Sequence, residues 1–250
     1  MPSFRSDIVD IAYEVTGEGP PVLLIHGFAS NARVNWIDTG WVKALTVAGY
    51  QTITFDNRGH GESGKLYDPA AYPAPEMAED ARRLLDHLGL TKVRVIGYSM
   101  GARIAAFLTI NHPERVVAAV FSGLAENMIR GVGGAEPIAE ALEAPSADNI
   151  TDPGARVFRV FAEQTKGDLR ALAACMRSSR QKITLAELGQ IHVPVLVVAG
   201  DADDIAGKVE PLVAAIPGAK GVTLARRNHM NAVGDRQHKE EVISFLNSIG

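Results

Sequence analysis

Along most of the chain, short apolar runs alternate with longer stretches in which apolar residues recur every three or four positions. Ile11, Tyr13 and Val15 alternate with Asp10, Ala12 and Glu14, the period of a strand with one solvated face. The runs Val22–Ile25, Thr52–Phe55, Val93–Ile96, Val116–Phe121, Val195–Val198 and Val222–Leu224 predict buried strands. Trp41–Ala48 and Glu76–Leu88 have helical spacing and are followed by Gly49 and Gly89, which suit helix ends. Ala102–Ile110 is also helix-like. This alternation predicts an α/β fold, a mostly parallel twisted sheet with helices on both faces.

One stretch departs from the alternation. From Leu124 to Leu188 there is helical spacing without a convincing strand, cut into short pieces by Gly131, Gly133, Gly134, Pro137, Pro145 and Pro153. The expected organisation is a body of residues 1–123 and 189–250 carrying a helical cap of residues 124–188. Met128, Phe158, Phe161 and Met176 are available either as pocket wall or as the interior of this insertion.

Chemistry enters at Gly97-Tyr98-Ser99-Met100-Gly101, between the run Val93–Ile96 and the segment Ala102–Ile110. A serine on a sharp strand-to-helix turn projects its hydroxyl, and the flanking glycines permit the strained backbone and close helix packing. An activated serine needs a base, and the base needs an orienting acid. On such a sheet they follow the serine in the order acid, then histidine, in loops after later strands. Gly200-Asp201-Ala202-Asp203-Asp204 follows one late strand, and Arg226-Arg227-Asn228-His229 follows the next. Asp203, a few residues past its strand, is the preferred acid, with Asp204 in reserve, and His229 is the base. The loop after Val116–Phe121 offers only Ser122, Gly123 and the more distant Glu126 as an alternative acid site. His26, His60, His87, His112, His192 and His238 each lack the required position after both acid and strand. The oxyanion of an acyl-transfer intermediate takes one backbone N–H after the nucleophile and one from an early loop. Those positions are Met100 and Phe28, with Ala29 a further candidate.

Gly59-His60-Gly61-Glu62-Ser63-Gly64-Lys65 imitates two phosphate-binding loops. Both work by presenting a helix N-terminus to phosphate, and Pro69, Pro73 and Pro75 prevent a long helix from opening at Gly64. A structural turn is the better reading.

Composition narrows the partners. Twenty-five basic and 29 acidic residues among 250 give a net charge of −4, which disfavours nucleic acid and anionic membrane as partners. The single Cys175 excludes an internal disulfide framework and a multi-thiolate metal site, and its place in the insertion sets it apart from every motif above. No apolar run reaches the roughly 20 residues of a membrane span, and Met1–Asp10 lacks the apolar core of a signal peptide. A cytoplasmic location is expected.

Taken in order, His26-Gly27-Phe28, Asp56–Ser63, Gly97–Gly101, Gly200–Asp203 and His229 resemble the α/β-hydrolase superfamily, over nearly the whole chain. The resemblance implies the same Ser99, Asp203 and His229 triad and the same N–H donors. The His-Gly-Phe and Gly-Tyr-Ser-Met-Gly pair is similar to small serine esterases and cofactor-free perhydrolases. Serine at the elbow argues against the branches that place aspartate there, the haloalkane dehalogenases and epoxide hydrolases. Two departures stand out: Ile205-Ala206-Gly207 where members often have a proline, and Asn228 where many have glycine. The expected activity is hydrolysis of a small carboxylic ester through an acyl-enzyme, with no metal or organic cofactor implied and no oligomeric state specified. The same triad would serve a C–C bond hydrolase or lyase, a thioesterase, or a non-catalytic ligand receptor. Arg103, just past the elbow, is one basic residue and does not by itself specify a polyanionic substrate.

Overall fold

Residues 1–249 are described by a computed structural model. The strands β1 (Ser3–Ser6), β2 (Val9–Thr16), β3 (Pro21–Ile25), β4 (Gln51–Phe55), β5 (Val93–Tyr98), β6 (Val116–Ser122), β7 (Val195–Gly200) and β8 (Lys220–Leu224) form one sheet. Their spatial order is β1-β2-β4-β3-β5-β6-β7-β8. β1 and β2 pair antiparallel, as do β2 and β4, and every other pairing is parallel. The early helices are α1 (Trp41–Val47), α2 (Ala74–His87) and α3 (Met100–Asn111). Between β6 and β7 come α4 (Glu126–Arg130), α5 (Ala135–Glu143), α6 (Pro153–Gln164), α7 (Leu169–Ser178) and α8 (Leu185–Leu188). The last three are α9 (Val209–Ala215), α10 (His229–Ala232) and α11 (Arg236–Asn247).

Successive residues of a strand point to opposite faces, and the core divides accordingly. Leu23, Val95, Ala119 and Val195 are register partners across the sheet and face α2, α3 and α9 through Leu84, Ile104 and Leu212. Leu24, Ile96, Val120 and Leu196 form the neighbouring row and pack with Trp41 and Leu45 of α1 and Val242 and Leu246 of α11. The central strands are therefore apolar on both sides, which is why their sequences show no alternation.

The two sheet edges differ from the sequence expectation. β1 was not expected, because four residues with Phe4 as the one large apolar side chain leave little period to read. β8 was expected to be covered on both faces, yet only Leu224 is buried; it pairs with β7 alone and closes that edge.

The segment between β6 and β7 contains helices and no strand. Its beginning is tied to the body, since Ala125 and Asn127 N–H groups donate to the Ala206 carbonyl and Glu126 N–H to Lys208. α5, α6 and α7 share a separate apolar cluster built on Ile138, Leu142, Ala162 and Leu172, and this cluster touches the body at Phe28 and Ala29. Among the described residues no helix is long and apolar enough to cross a membrane.

A buried ion pair fastens the loop after β4 to α2. Arg58 and Asp80, each 1% exposed, meet in a fork with Nε–Oδ2 at 2.6 Å and an Nη2–Oδ1 distance of 2.7 Å. Arg58 also donates to the Ala71 carbonyl, and Ser6 of β1 donates to Asp80. Removing one partner of such a pair leaves an uncompensated buried charge. Asp80→Ala should therefore cost about 3–5 kcal/mol in urea unfolding. Breaking the exposed Arg236–Glu240 pair with Glu240→Ala should leave the urea midpoint essentially unchanged.

Candidate active site

The site begins where β5 turns into α3. Ser99 adopts φ 56° and ψ −115°, a left-handed conformation costly for a residue with a Cβ. The turn is held by near contact of backbones. A Cβ on Gly101 would stand 2.0 Å from the Ile25 carbonyl oxygen, and one on Gly97 would stand 2.2 Å from the Gly101 oxygen. Only glycine fits at either place. The crossing thus seats Ser99 at the α3 N-terminus beside the loop leaving β3.

Three loops at the carboxyl ends of parallel strands bring the polar groups together. His229, after β8, places Nε2 2.9 Å from Ser99 Oγ. Its Nδ1 lies 2.9 Å from Oδ2 and 3.1 Å from Oδ1 of Asp203, after β7. Asp203 is buried, and its Oδ1 also accepts the N–H groups of Ile205 and Ala206. A proline at either position would lack that donor, which rationalises the Ile205-Ala206 departure. Asp201 and Asp204 are exposed. Asn228 caps α10, accepting from Met230 and Asn231 N–H, so the residue standing in place of glycine starts the helix that His229 opens. The Tyr98 hydroxyl donates to the His229 carbonyl at 2.6 Å.

The backbone N–H groups of Phe28 and Met100 donate to no acceptor among the described residues. The loop carrying Phe28 is firmly supported. Gly27 N–H donates to Asn35 Oδ1, Asn57 N–H donates to His26 Nε2, and Asn57 Nδ2 donates to the His26 carbonyl. Ala29, the other oxyanion candidate, takes φ 57° as the loop turns away.

The glycine-rich loop is a turn built around a carboxylate. Asp56 accepts Ala32 N–H on Oδ1 and Glu62 N–H on Oδ2, and a Cβ on Gly61 would collide with that carboxylate. Lys65 is spent on the carbonyls of His60, Gly61 and Ser63. An anion already sits where phosphate would have to bind, and the next α-helix starts only at Ala74.

A cavity of ≈ 290 Å³ opens onto Ser99 and His229. Its walls are mainly apolar, with Phe28, Val34, Val157, Phe158, Phe161 and Ile205, and Asn35 and Thr39 add polar groups. Phe158 and Phe161 thus line the cavity, Met176 lines a smaller pocket that also reaches Ser99, and Met128 belongs to the main core. Cys175 is not remote from the motifs as chain position suggested. Its Sγ lies 3.9 Å from Met100 Sδ beneath the elbow, and burial pushes its thiol up to about 12. Asn35, Thr39 and Tyr98 were not foreseen. Asn35 and Thr39 are four residues apart, a helical spacing that could have placed them on one face. Among the described residues no group of three or more His, Cys, Asp or Glu could hold a metal ion.

The chain belongs to the alpha/beta hydrolase fold family, whose model matches residues 20–153, more than half of its length. It is 27% identical to the non-heme chloroperoxidase CPO-A1 of Kitasatospora aureofaciens, with 96% of this chain and 97% of that protein covered. It is 35% identical over 109 residues to RutD of Caulobacter segnis, whose name provisionally assigns it carbamate hydrolysis. That match covers 42% of this chain and 40% of that protein. A solved hydrolase from Pseudomonas aeruginosa PA01 superposes with a TM-score of 0.82 at 25% identity, covering 98% of this chain and 97% of its own.

Three histidines behind the site are buried and neutral. Burial lowers His26 to about 4 and His238 to about 4. His60 falls to about 3 through burial, with the neighbouring His26 adding to the shift. The unfolded chain protonates such histidines near pH 6.5, whereas the folded protein resists until far lower pH. Their contribution is complete above pH 6.5 and is lost as pH falls toward 4, by roughly 1–2 kcal/mol per histidine per pH unit. The urea midpoint should drop between pH 6.5 and 5, with about three protons taken up on unfolding near pH 5.5. A flat midpoint across that range would contradict neutral burial.

Proposed function

We propose that the protein is a serine hydrolase of small carboxylic esters, with Ser99 as nucleophile, His229 as general base and acid, and Asp203 as the orienting carboxylate. The observation that carries this reading is the unbroken relay from Asp203 through His229 to Ser99, both links at 2.9 Å, at the edge of an apolar cavity. Ser99 Oγ bonds to the ester carbonyl carbon while its proton passes to His229 Nε2. The carbonyl oxygen becomes an oxyanion, and the free N–H groups of Phe28 and Met100 serve as its donors. Collapse breaks the ester C–O bond, and the alcohol leaves with the proton from His229. Water then gives a proton to His229 and its oxygen to the acyl carbon, releasing the carboxylic acid and restoring Ser99. Asp203 holds the imidazole with Nδ1–H toward itself, so that Nε2 faces the serine.

In this reading residues 124–188 act as the cap over a body of residues 1–123 and 189–250. Phe158 and Phe161 supply the cap's part of the cavity wall. Membership of the hydrolase family supports bond hydrolysis in general. A nucleophile, a proton shuttle and an oxyanion site together support acyl transfer, of which ester hydrolysis is the case proposed.

p-Nitrophenyl esters of graded acyl length should be hydrolysed, and Ser99→Ala should lose at least about 10³-fold in kcat. Asp203→Asn should fall by about 10²–10⁴-fold. Asp204→Asn should stay near the native rate. Failure to turn over any ester, or a Ser99→Ala protein as active as native, would overturn the esterase reading. Equal losses in the two asparagine variants would overturn the choice of acid.

A further inference from the structure

Two arginines meet beside the nucleophile without a carboxylate between them. Arg103 is the one charged residue of α3 and is 2% exposed. Arg180 follows α7 and is partly buried. Neither makes an ion pair with any described residue, whereas Arg58, equally deep, is matched by Asp80. Arg103 gives one donor to the Gln181 carbonyl, and Arg180 gives Nη1 to the carbonyls of Val132 and Gly133. A guanidinium has five N–H donors, so most of both forks are unspent. Burial, with the nearby charge of Arg180 adding to it, lowers Arg103 to about 10. Burial also lowers Arg180. Two like charges held together out of water are unfavourable unless an anion joins them.

Both arginines line the smaller pocket, which also contains Ser99, Phe28, Met100 and Ser179 and has a volume of ≈ 40 Å³. That is space for about three water-sized groups. His229 lines the large cavity and not this one. A leaving alcohol must lie beside His229 to receive its proton, which assigns the large apolar cavity to the alcohol and the small pocket to the acyl group.

We propose that the Arg103–Arg180 pocket receives a carboxylate carried on the acyl part of the substrate, so that the site prefers hemi-esters of short dicarboxylic acids to neutral esters. This rests on the acyl-transfer reading given above. A planar guanidinium fork matches a carboxylate in two-point contact, and the small volume restricts the acyl chain to a few carbons. The larger wall of Phe158, Phe161 and Val157 suits an uncharged alcohol.

The test compares monobutyl succinate with its neutral isostere, butyl 4-methylpentanoate, by pH-stat titration. It is combined with calorimetry of succinate binding to the native protein. The hemi-ester should exceed the neutral ester at least about tenfold in kcat/KM. In Arg180→Met that ratio should collapse, chiefly through KM, and succinate binding should be lost. Arg180→Lys should restore part of both. Circular dichroism establishes that each variant is folded; if Arg180→Met is not, the native selectivity and native succinate binding decide. Turnover of both esters without preference, together with no succinate binding, overturns the anion pocket and leaves ester hydrolysis standing. No turnover of either ester, with succinate binding that depends on Arg180, removes ester hydrolysis and retains the anion pocket.

Discussion

The geometry of the site depends on one contact, the backbone of Gly101 against the carbonyl of Ile25, with no room for a methyl group between them. It presses the start of α3 onto the end of β3. Ser99 and Phe28, far apart in the chain, therefore become neighbours without any side chain linking them directly. The strain at Ser99 persists because the surrounding backbone over-determines it: Gly97 and Gly101 close on each other, and Ser99 N–H is held by the Ser122 carbonyl at 2.7 Å. The other two polar groups arrive on loops from β7 and β8, so the register of the sheet sets their distance from the serine.

Charge is distributed by a consistent logic. Where the fold alone is served, buried ionisable groups are neutral, as in His26, His60 and His238, or matched, as in Arg58 with Asp80. Asp203 is buried yet fully engaged by His229 and two backbone N–H groups. Arg103 and Arg180 differ from Arg58 in this respect, and both line a pocket that reaches Ser99. Buried Arg58 is matched by a carboxylate, whereas Arg103 and Arg180 are held, among the described residues, by backbone carbonyls alone.

The central strands were legible because strands buried on both faces become uniform apolar runs, as in Val93–Ile96 and Val195–Val198. The elbow was legible because its glycines are sterically required. Asp203 and His229 were chosen by their place after late strands, and in the structure His229 lies within hydrogen-bonding distance of both Ser99 and Asp203. Other features left weaker traces. β1 is too short to show a period, and β8 looks buried because Val222 and Leu224 are apolar although most of the strand faces solvent. Cys175 shows the limit of linear reasoning, since chain distance from the elbow says nothing about a helix that folds back under it. Arg103 did carry a local signal: a lone charge in an otherwise uncharged, almost fully buried helix. Its partner Arg180 lies at the end of a different helix, and only the fold joins the two.

The edge position of β8 bears on how the protein would fail. The strand has one neighbour, is largely exposed, and carries the loop with His229. Edge elements with few buried contacts open at lower free energy than the core. Ser99 follows β5, in the middle of the sheet, whereas His229 follows β8 at its edge. Inward ties on the histidine's loop include the Tyr98 hydroxyl, Asp203, and the backbone bonds of Asp201 to Leu224 and Ala202 to Arg227. On heating, the relay would come apart at this margin while the sheet behind it was still intact. Inactivation and denaturation would then be separate events, and residual helicity would be a poor measure of surviving function.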